Sequence, residues 1–554
     1  MIKSIEFKNY KAFKEGTLEL SPLTVLMGAN SVGKSSVLKL ILTLSQTAGE
    51  NKNSGALKSF GKLTDGGEVR NIFYQKDTTN ELEICFNLEL PIKASELLND
   101  IKNKIYFSLL DRLRKNIFIL HEINDNNRID KETFNSLRKF DFNFHTNDNQ
   151  IESINEIISA IKKTRKQMDE NENNHSQKNI PEMISRDLNY KEIKKSEIID
   201  SIIILDELGK FGKIKKISYK ISYSKTKNLL KVSSIAVFST SGHYIEIDFY
   251  RNKDNRRSCI IKSDKLNASF FEKHYPTINK AFDFNGMRLQ WNNDHNNDEP
   301  FLGVKLSVSY ILYSFMKHYS DTAIKEFNPS NIRHVSPVRA YPKRYYFLNE
   351  SDDTSYFDTT DQDSLPLYIN NNPDTLEKVN TWLNKFGFNV KVDSLNEMIH
   401  SIKIKQNNIK LDLIDIGFGI SQILPVIIQS LLAKKGSITL IEQPEIHIHP
   451  KMQADLADFF ILLAKKDNKK FIIETHSEAF LKRLRRRMAE YKTENENSIS
   501  PDNVSIQFIE RDKNSEKNSI IINKEISKTG DFEWPKDFMS TDIEDTIEFL
   551  KLQG

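Results

Sequence analysis

The stretch LTVLMGANSVGKSSVLKL, residues 23–40, decides the fold. Its apolar run Leu23–Met27 predicts a buried strand. Apolar residues at helical spacing predict a helix after it; they are Val37, Leu38, Ile41 and Leu44. Between the two, residues 28–36 match G-x-x-x-x-G-K-[ST], which marks a phosphate-binding loop when a strand precedes it and a helix follows. The sequence therefore predicts an α/β fold of the P-loop NTPase type.

The residue types in this loop suit a nucleoside triphosphate. Gly28 and Gly33 allow the backbone to curl so that its N–H groups face phosphate oxygens, and the helix N-terminus adds its positive end. Lys34 would reach the β- and γ-phosphates, and the Ser35 hydroxyl would hold Mg²⁺. A glycine turn without a ligand explains neither Lys34 nor Ser35. The candidate nucleotide-binding residues of the loop are Gly28, Asn30, Ser31, Gly33, Lys34, Ser35 and Ser36.

Three distant stretches complete the pattern. Residues 415–433, DIGFGISQILPVIIQSLLA, predict a glycine turn that opens a helix. Residues 438–442 predict a strand that ends in an acid, Glu442, and an amphipathic helix follows it. Residues 470–477, KFIIETHS, predict a strand that leads to His476. Alternating strands and helices predict a mostly parallel sheet with ligand-binding groups at the carboxyl ends of its strands.

The order of these motifs resembles the ATP-binding-cassette (ABC) ATPases. It resembles more closely those with a head split by an insertion: the structural-maintenance-of-chromosomes, recombination-repair and overcoming-lysogenization-defect (OLD) ATPases. The resemblance implies that two heads enclose two ATP molecules with Mg²⁺ and that Gly417 and Gly419 form the signature turn facing the partner's γ-phosphate. Gly417 stands where these families usually have serine. His476 matches the switch histidine, and Gln75 is a weak match to the Q-loop residue.

Three further stretches narrow the resemblance: SPVRAYPKRYYF at 336–347, ETHSEAFLKRLRRRM at 474–488, and GDFEWPKDF at 530–538. They resemble bacterial OLD-like ATPases with a short C-terminal domain of unknown function. Members and relatives of that group occur in phage-defence operons, including the PtuA ATPases of Septu systems and of some retrons. The resemblance covers roughly residues 1–90 and 330–554.

Position 443 departs from the expected chemistry. In the resembling families, Glu442 aligns with the acid that holds the Mg²⁺-bound water, and Gln443 aligns with the general base. An amide cannot accept the proton of the attacking water, and a positioned base contributes ~10²–10⁴-fold. Phosphoryl transfer depends mainly on positioning and charge, so we expect slow rather than absent hydrolysis.

Two readings of the following residues stay open. Glu445, two positions on, would share a strand face with Gln443 and could replace the base. By the same spacing, Glu445, His447 and His449 could instead form a metal site. With His476, we take Gln443 and Glu445 as the candidate catalytic residues, and Ser35 and Glu442 as the candidate Mg²⁺ ligands.

Composition narrows the class of protein. The 554 residues suggest two or three domains, and 38% apolar with 28% charged residues is typical of a globular chain. No apolar run reaches the roughly 20 residues that span a bilayer, and two cysteines suit the cytoplasm. The net charge of +4 is too small to indicate nucleic acid. Basic clusters at 162–166, 213–216 and 481–488 are most simply solvated faces, although they leave DNA or RNA open as a partner.

We expect four segments. They are an N-terminal lobe of the head (1–95), an insertion with a helical hairpin arm over 151–208 and a β-rich part (96–330), a C-terminal lobe (331–500), and a short C-terminal segment (501–554). The 78 residues after His476 (554 minus 476) are too few for the nuclease domain that follows the ATPase in OLD nucleases. If nucleic acid is cut, we expect a separate chain to cut it.

The resemblance favours one function over two others. We expect a homodimeric, nucleotide-gated regulatory subunit that controls a separate nuclease in a bacterial anti-phage complex. The alternative is a DNA-repair or recombination ATPase that clamps DNA with its insertion. A transporter subunit fits less well, because the insertion replaces a compact cassette.

Overall fold

A computed structural model describes residues 2–49, 55–103, 159, 195–253, 256–292, 307–347, 365–396, 398–406, 409–493, 495–534 and 540–553. The expected helical arm over 151–208 lies outside these ranges as far as residue 194, apart from residue 159. Its last part is the helix Lys195–Gly209.

The strands are β1 (Ile2–Tyr10), β2 (Phe13–Glu19), β3 (Leu23–Met27), β4 (Leu82–Lys93), β5 (Lys213–Ser224), β6 (Leu229–Ser239), β7 (Tyr244–Arg251), β8 (Arg257–Ser263), β9 (Phe282–Asn285), β10 (Arg288–Trp291), β11 (Ile332–Val335), β12 (Tyr346–Phe347), β13 (Phe388–Ser394), β14 (Ile399–Gln406), β15 (Ile409–Asp412), β16 (Ile438–Glu442), β17 (Lys470–Glu474), β18 (Val504–Asp512) and β19 (Ser515–Lys524). The helices are α1 (Lys34–Ala48), α2 (Lys195–Gly209), α3 (Ala268–Glu272), α4 (Tyr275–Ala281), α5 (Val308–Lys325), α6 (Leu365–Asn371), α7 (Pro373–Leu383), α8 (Phe418–Leu432), α9 (Pro450–Asp467), α10 (Glu478–Ala489) and α11 (Ser540–Gln553), and residues 94–103 are also helical.

A six-stranded sheet in the order β11-β16-β17-β3-β18-β19 forms the centre of the head. Its first five strands are parallel, and β19 pairs antiparallel with β18. All residues of β3 and β17 are buried, as strands of a parallel sheet covered on both faces should be. Leu26 joins the core that contains α1 and α5, whereas Leu23 and Val25 join the core of α8 and α9. The predicted α/β fold is confirmed.

The register of this sheet brings the sequence motifs to one edge. Leu26 of β3 pairs with Glu474 of β17, and Glu474 pairs with Glu442 of β16. The phosphate loop, the acidic strand end and the segment leading to His476 therefore all emerge where parallel neighbours end, which is where α/β sheets place ligand groups.

A seven-stranded antiparallel sheet in the order β2-β1-β4-β5-β6-β7-β8 packs against the other side of α1. Strands β5 to β8 come from the expected insertion, yet β5 is hydrogen-bonded to β4 of the N-terminal lobe. The sheet and its apolar core therefore run across the expected boundary at residue 95. Likewise, β18 from the expected C-terminal segment lies inside the central sheet beside β3.

A smaller sheet of β12, β14 and β13, with β15 paired to β14, covers the face that carries α7. The two cysteines, Cys85 and Cys259, are buried and free. Within the ranges given above, no helix combines the length and apolar character needed to cross a membrane.

Candidate functional site

The phosphate loop has the backbone geometry that its glycines predict. Gly28 has φ +145°, and a Cβ there would lie 2.1 Å from the carbonyl oxygen of Ile509 in β18. Gly33 has φ +111° and begins α1 as its N-cap. Only glycine adopts such conformations without strain. A guanidinium nitrogen of Arg511 donates to the carbonyl of Ser31 over 2.8 Å, which ties the loop to β18.

Lys34 lies in the centre of the loop and is only 5% exposed. Its Nζ donates to the carbonyl oxygens of Gly28 (3.0 Å) and Ala29 (2.8 Å) and lies 3.8 Å from Oε1 of Glu474. Burial lowers the pKa of Lys34, and the charge of Glu474 opposes that shift. The next residue, Ser35, is exposed at the loop surface, as a hydroxyl that holds a cation must be.

Glu474 is a site residue that sequence reasoning missed. It is buried beside Glu442, its register partner in the next strand. Burial raises its pKa to about 7, repulsion from Glu442 adds to the increase, and Lys34 opposes it. Only the register reveals it, since Glu474 ends β17 at the level where Glu442 ends β16. Two neighbouring carboxylates raise the pKa of one of them, and a cation beside them favours the ionised forms of both.

The oxygen donors present fit a magnesium ion. Oε2 of Glu474 and Oε2 of Glu445 are both buried without a hydrogen-bond partner among the described residues. Mg²⁺ prefers hard oxygen ligands, usually one or two carboxylates together with phosphate oxygens and waters. Glu442 and the Ser35 hydroxyl are the residues that would hold it, and a cation there would favour the ionised forms of Glu474 and Glu445.

Gln443 turns the chain out of the strand. Its φ is +45°, and its N–H donates to the carbonyl oxygen of Glu474 over 2.8 Å. The expected strand direction for Glu445 is therefore wrong, because β16 ends at Glu442. A turn brings Glu445 into the site by another route: its Oε1 accepts a hydrogen bond from the N–H of His476 at 2.6 Å, and burial raises its pKa.

The metal site suggested by the Glu445, His447 and His449 spacing is not formed. His447 has φ +62°, and its ring packs edge-on against Phe418 at 4.8 Å. His449 caps α9 by accepting from the N–H of Lys451. No group of three or more His, Cys, Asp or Glu side chains in the described part of the chain is arranged to hold a metal ion.

Arg339 and His334 are two further residues that sequence reasoning missed. Arg339, 4% exposed, donates from one guanidinium nitrogen to the carbonyl oxygens of Glu442 (2.8 Å) and Gln443 (3.1 Å). Burial lowers its pKa to about 10, against the attraction of Glu445 and Glu442. His334 Nε2 lies 2.8 Å from Oε1 of Glu442. Arg339 lies in the stretch SPVRAYPKR, in which no residue pattern by itself predicts a role in the site.

Gln75, the Q-loop candidate, is exposed, whereas Arg339 is buried at the end of the acidic strand. Gln75 lies exposed on a 3₁₀ turn, Tyr74–Lys76, with φ +53°. One of the two strands beside β16 is β11, and Arg339 from the loop after β11 contacts the backbone of Glu442.

The two signature glycines differ in what surrounds them. Gly417 is the N-cap of α8, and a Cβ at this position would meet nothing within 4 Å. A Cβ at Gly419 would lie 2.5 Å from the carbonyl oxygen of His447 in the same chain. Gly419 is therefore required by packing within one head, whereas Gly417 presents open space at a helix N-terminus.

The basic cluster of α10 is neutralised within the chain. Arg483 pairs with Asp455 and Asp458 of α9, and Arg487 pairs with Asp458 and Glu490. Arg485 and Arg486 also have acidic partners. These pairs fix α10 on α9, so this cluster gives no support for nucleic-acid binding.

A parallel sheet that presents a glycine-rich phosphate loop, an acidic strand end and a following histidine at one edge defines a P-loop ATPase of ABC type. The family model described as AAA ATPase domain matches residues 1–481, and the chain belongs to this family. Family membership implies that the protein uses a nucleotide.

Solved structures similar to the chain include the SMC head domain from Thermotoga maritima, at 8% identity and TM-score 0.32, covering 95% of this chain and 99% of that one. Another is the Smc head domain with an extended coiled coil bound to the C-terminal domain of ScpA, derived from Pyrococcus furiosus, at 8% identity and TM-score 0.31, with coverage of 99% and 98%. No curated protein matches the sequence.

Proposed function

We propose that the protein is an ATP-held switch that hydrolyses ATP slowly and regulates a separate nuclease in a bacterial anti-phage complex. The observation that carries the proposal is the amide of Gln443 at the end of the acidic strand. Family membership supports the use of a nucleotide, and the amide of Gln443 supports slow hydrolysis. The resemblance to OLD-like defence ATPases supports a separate nuclease as the partner.

Slow turnover follows from what surrounds the amide. The backbone of Gln443 is fixed on both sides, by its own N–H on Glu474 and by Arg339 on its carbonyl. Its side chain can orient a water molecule but cannot take its proton. Glu445 is a poor substitute, because one of its oxygens already accepts from His476 and burial favours its neutral form.

The chain's own residues suffice to hold a triphosphate tightly. Lys34 and the N–H groups of the loop offer positive charge at the N-terminus of α1, where phosphate oxygens bind favourably. A bound Mg²⁺ would neutralise phosphate charge between Ser35 and Glu442. His476 follows β17, and partial burial together with the charge of Lys34 lowers its pKa, which favours the neutral imidazole as the form that contacts the phosphate.

A second head completes the switch in this proposal. Gly417 presents the N-terminus of α8 without an obstructing side chain, as a contact to a partner's γ-phosphate requires. Near it, Tyr341 is 75% exposed although its ring contacts Phe418 at 5.1 Å. An aromatic side chain that remains exposed beside this turn suits a surface that a second copy covers.

Phage plating tests the defence role. Cells that carry the gene together with its neighbouring nuclease gene should resist phage, and the Lys34→Ala variant should not. Lys39→Ala is the matched control, since Lys39 lies on the same helix but donates to the carbonyl oxygen of Asp65. The two proteins should also co-purify as a complex of defined mass. Full protection by Lys34→Ala, or by the ATPase gene without its neighbour, would overturn the proposal.

A further inference from the structure

Two segments of the chain expose clusters of large apolar side chains. One is the C-terminal helix α11, on which Ile547, Phe549, Leu550 and Leu552 are all exposed. The other is the small sheet of β12 to β15, together with the turn between β13 and β14. Single exposed apolar side chains are ordinary, whereas clusters of them mark interaction surfaces.

The helix α11 exposes its side chains on every side. Each described side chain, from residue 545 to residue 553, is exposed, and Leu552 reaches 85%. An isolated helix of 14 residues is marginal in water, because most helix stability in proteins comes from packing of an apolar face. We therefore expect α11 to pack against a further surface in the working protein.

The charge of α11 indicates what kind of surface would cover it. Residues 540–553 contain four acids and one lysine, a net charge of −3 (1 minus 4), within a chain of net charge +4. The acids are at positions 542–548 and the exposed apolar residues at positions 547–552, so charge precedes apolar surface along the helix. Glu548 also pairs with Lys551, which leaves the excess charge in the first half. Nucleic acid would repel such a helix, whereas a cationic protein surface with an apolar end would attract it.

The outer face of the small sheet is cationic at one end. Ile404 of β14 is buried in the core, so its neighbours Lys403 and Lys405 face the other way. Lys405 is directly opposite Lys410 of β15, and both are exposed. Lys403 pairs with Asp412, whereas no ion pair of Lys405 or Lys410 is found in the described part of the chain. Like charges directly opposite each other destabilise a sheet, and an acidic partner would offset that cost.

The same face is apolar at its other end. Phe347 of β12 is the register partner of Ile399 and is exposed. Leu395 and Met398, in the turn that leads to Ile399, are exposed as well. From Ile399 to Lys405, β14 advances about 20 Å, and the 14 residues of α11 extend about 21 Å. The helix and the face therefore match in length, and both change from charged to apolar along it.

We infer that α11 of one subunit docks on the outer face of the small sheet of a second copy. Its acids lie over Lys405 and Lys410, and its apolar residues lie over Phe347. A second copy is the occupant because both complementary surfaces are exposed in the same chain, so neither covers the other within one subunit. In a dimer with twofold symmetry the contact is reciprocal and forms twice. The inference does not depend on the proposed switch, because the contact needs no nucleotide and uses neither the phosphate loop nor Gly417.

The mass of the full-length protein without nucleotide, measured by light scattering over a concentration series, tests the inference. The wild type should be dimeric. Leu550→Gln/Leu552→Gln keeps the helix propensity, because glutamine and leucine are similar helix formers. It should raise the Kd of the dimer at least ~tenfold, which corresponds to about 1.4 kcal/mol. Lys405→Glu/Lys410→Glu should raise the Kd as well, because it places acids opposite acids.

Mixing these two variants separates docking between subunits from docking within one. Each variant alone loses both contacts of the dimer. A mixed dimer keeps one contact, made by the intact helix of the sheet variant on the intact sheet of the helix variant. The mixture should therefore dimerise more strongly than either variant alone.

The control Lys434→Glu/Lys435→Glu reverses the same charge at exposed residues after α8 and should leave the Kd nearly unchanged. Gly417→Asp should also keep the nucleotide-free dimer, so failure of the ATP-dependent contact and failure of this contact are distinguishable. A monomeric wild type, a helix variant that dimerises like the wild type, or a mixture no stronger than its components would overturn the inference.

A nucleic-acid probe tests the competing occupant of the sheet. If Lys405→Glu/Lys410→Glu abolishes binding of fluorescein-labelled dT12 and leaves the mass unchanged, the face binds nucleic acid and the inference is wrong. If the variant changes the mass and not the binding of dT12, the second copy is the occupant.

Discussion

Restoring a carboxylate at position 443 should accelerate hydrolysis. Gln443→Glu changes an amide to an acid of the same length, and neither side chain is branched at Cβ, so φ +45° is tolerated equally. The new carboxylate would lie directly after β16, at the position to which the resemblance assigns the general base. A positioned base contributes ~10²–10⁴-fold to a proton-transfer step.

The surrounding charges reduce that gain. Glu474, buried beside another carboxylate in the same site, has its pKa raised to about 7. A glutamate at 443 would lie near the same carboxylates, so its pKa would also be raised and a part of it would be neutral at pH 7. The expected acceleration is therefore up to the ~10²–10⁴-fold that a positioned base contributes, and it should increase with pH because only the ionised form accepts the proton.

Phosphate release at saturating Mg·ATP is the assay. Gln443→Met, which is similar in size and has no proton-accepting group, is the control and should be no faster than the wild type. An unchanged rate for Gln443→Glu, with ATP affinity intact, would refute the reasoning. A fast wild-type enzyme that loses activity on Glu445→Gln would make Glu445 the base instead.

Gly417→Asp should prevent ATP-dependent dimerisation, measured by light scattering, because it places a negative charge where the proposed contact to the partner's γ-phosphate forms. ATP binding by one head should not weaken, because the new side chain enters open space. Gly419→Ala should lower the melting temperature, since its Cβ would lie 2.5 Å from a carbonyl oxygen. Arg339→Gln should cost about 1–3 kcal/mol of stability in denaturant titration and slow hydrolysis, because two carbonyls lose a charged donor. Glu474→Gln should stabilise the protein by up to about 3 kcal/mol more at pH 8 than at pH 5. The pKa of Glu474 is higher in the folded than in the unfolded protein, so the native carboxyl destabilises the fold increasingly as the pH rises above the unfolded pKa. Equal melting shifts at both pH values would contradict this.

The parts of the site encoded by short contiguous patterns could be predicted from the sequence. The strand Leu23–Met27 has the predicted bounds, and the helix after the loop begins at Lys34. The strand before Gln443 also ends at Glu442. In each case an apolar run and a glycine or acidic residue specify the element locally, so no long-range information is needed.

Residues that act through register or turns could not be predicted this way. Glu474 matters because β17 pairs with β16 at the level of Glu442, and pairing between distant segments leaves no local signal. Arg339 enters the site from a loop with no motif of its own. The prediction that Glu445 shares a strand face with Gln443 assumes that the strand continues, but the positive φ of Gln443 turns the chain out of it. The signature glycines look equivalent in sequence, and only packing distinguishes them.

The strand order of the central sheet also determines when the nucleotide site can exist during synthesis. β3 is translated early, but its two neighbours are β17 and β18, and Val504 of β18 pairs with Leu23 some 480 residues later (504 minus 23). At ~5–20 residues per second, β3 waits on the order of 25–95 s before both of its hydrogen-bonding edges can be paired. Unpaired apolar edges recruit other chains. The nascent protein should therefore depend on a chaperone until the ribosome has passed residue 512, and ATP cannot assist its folding before then.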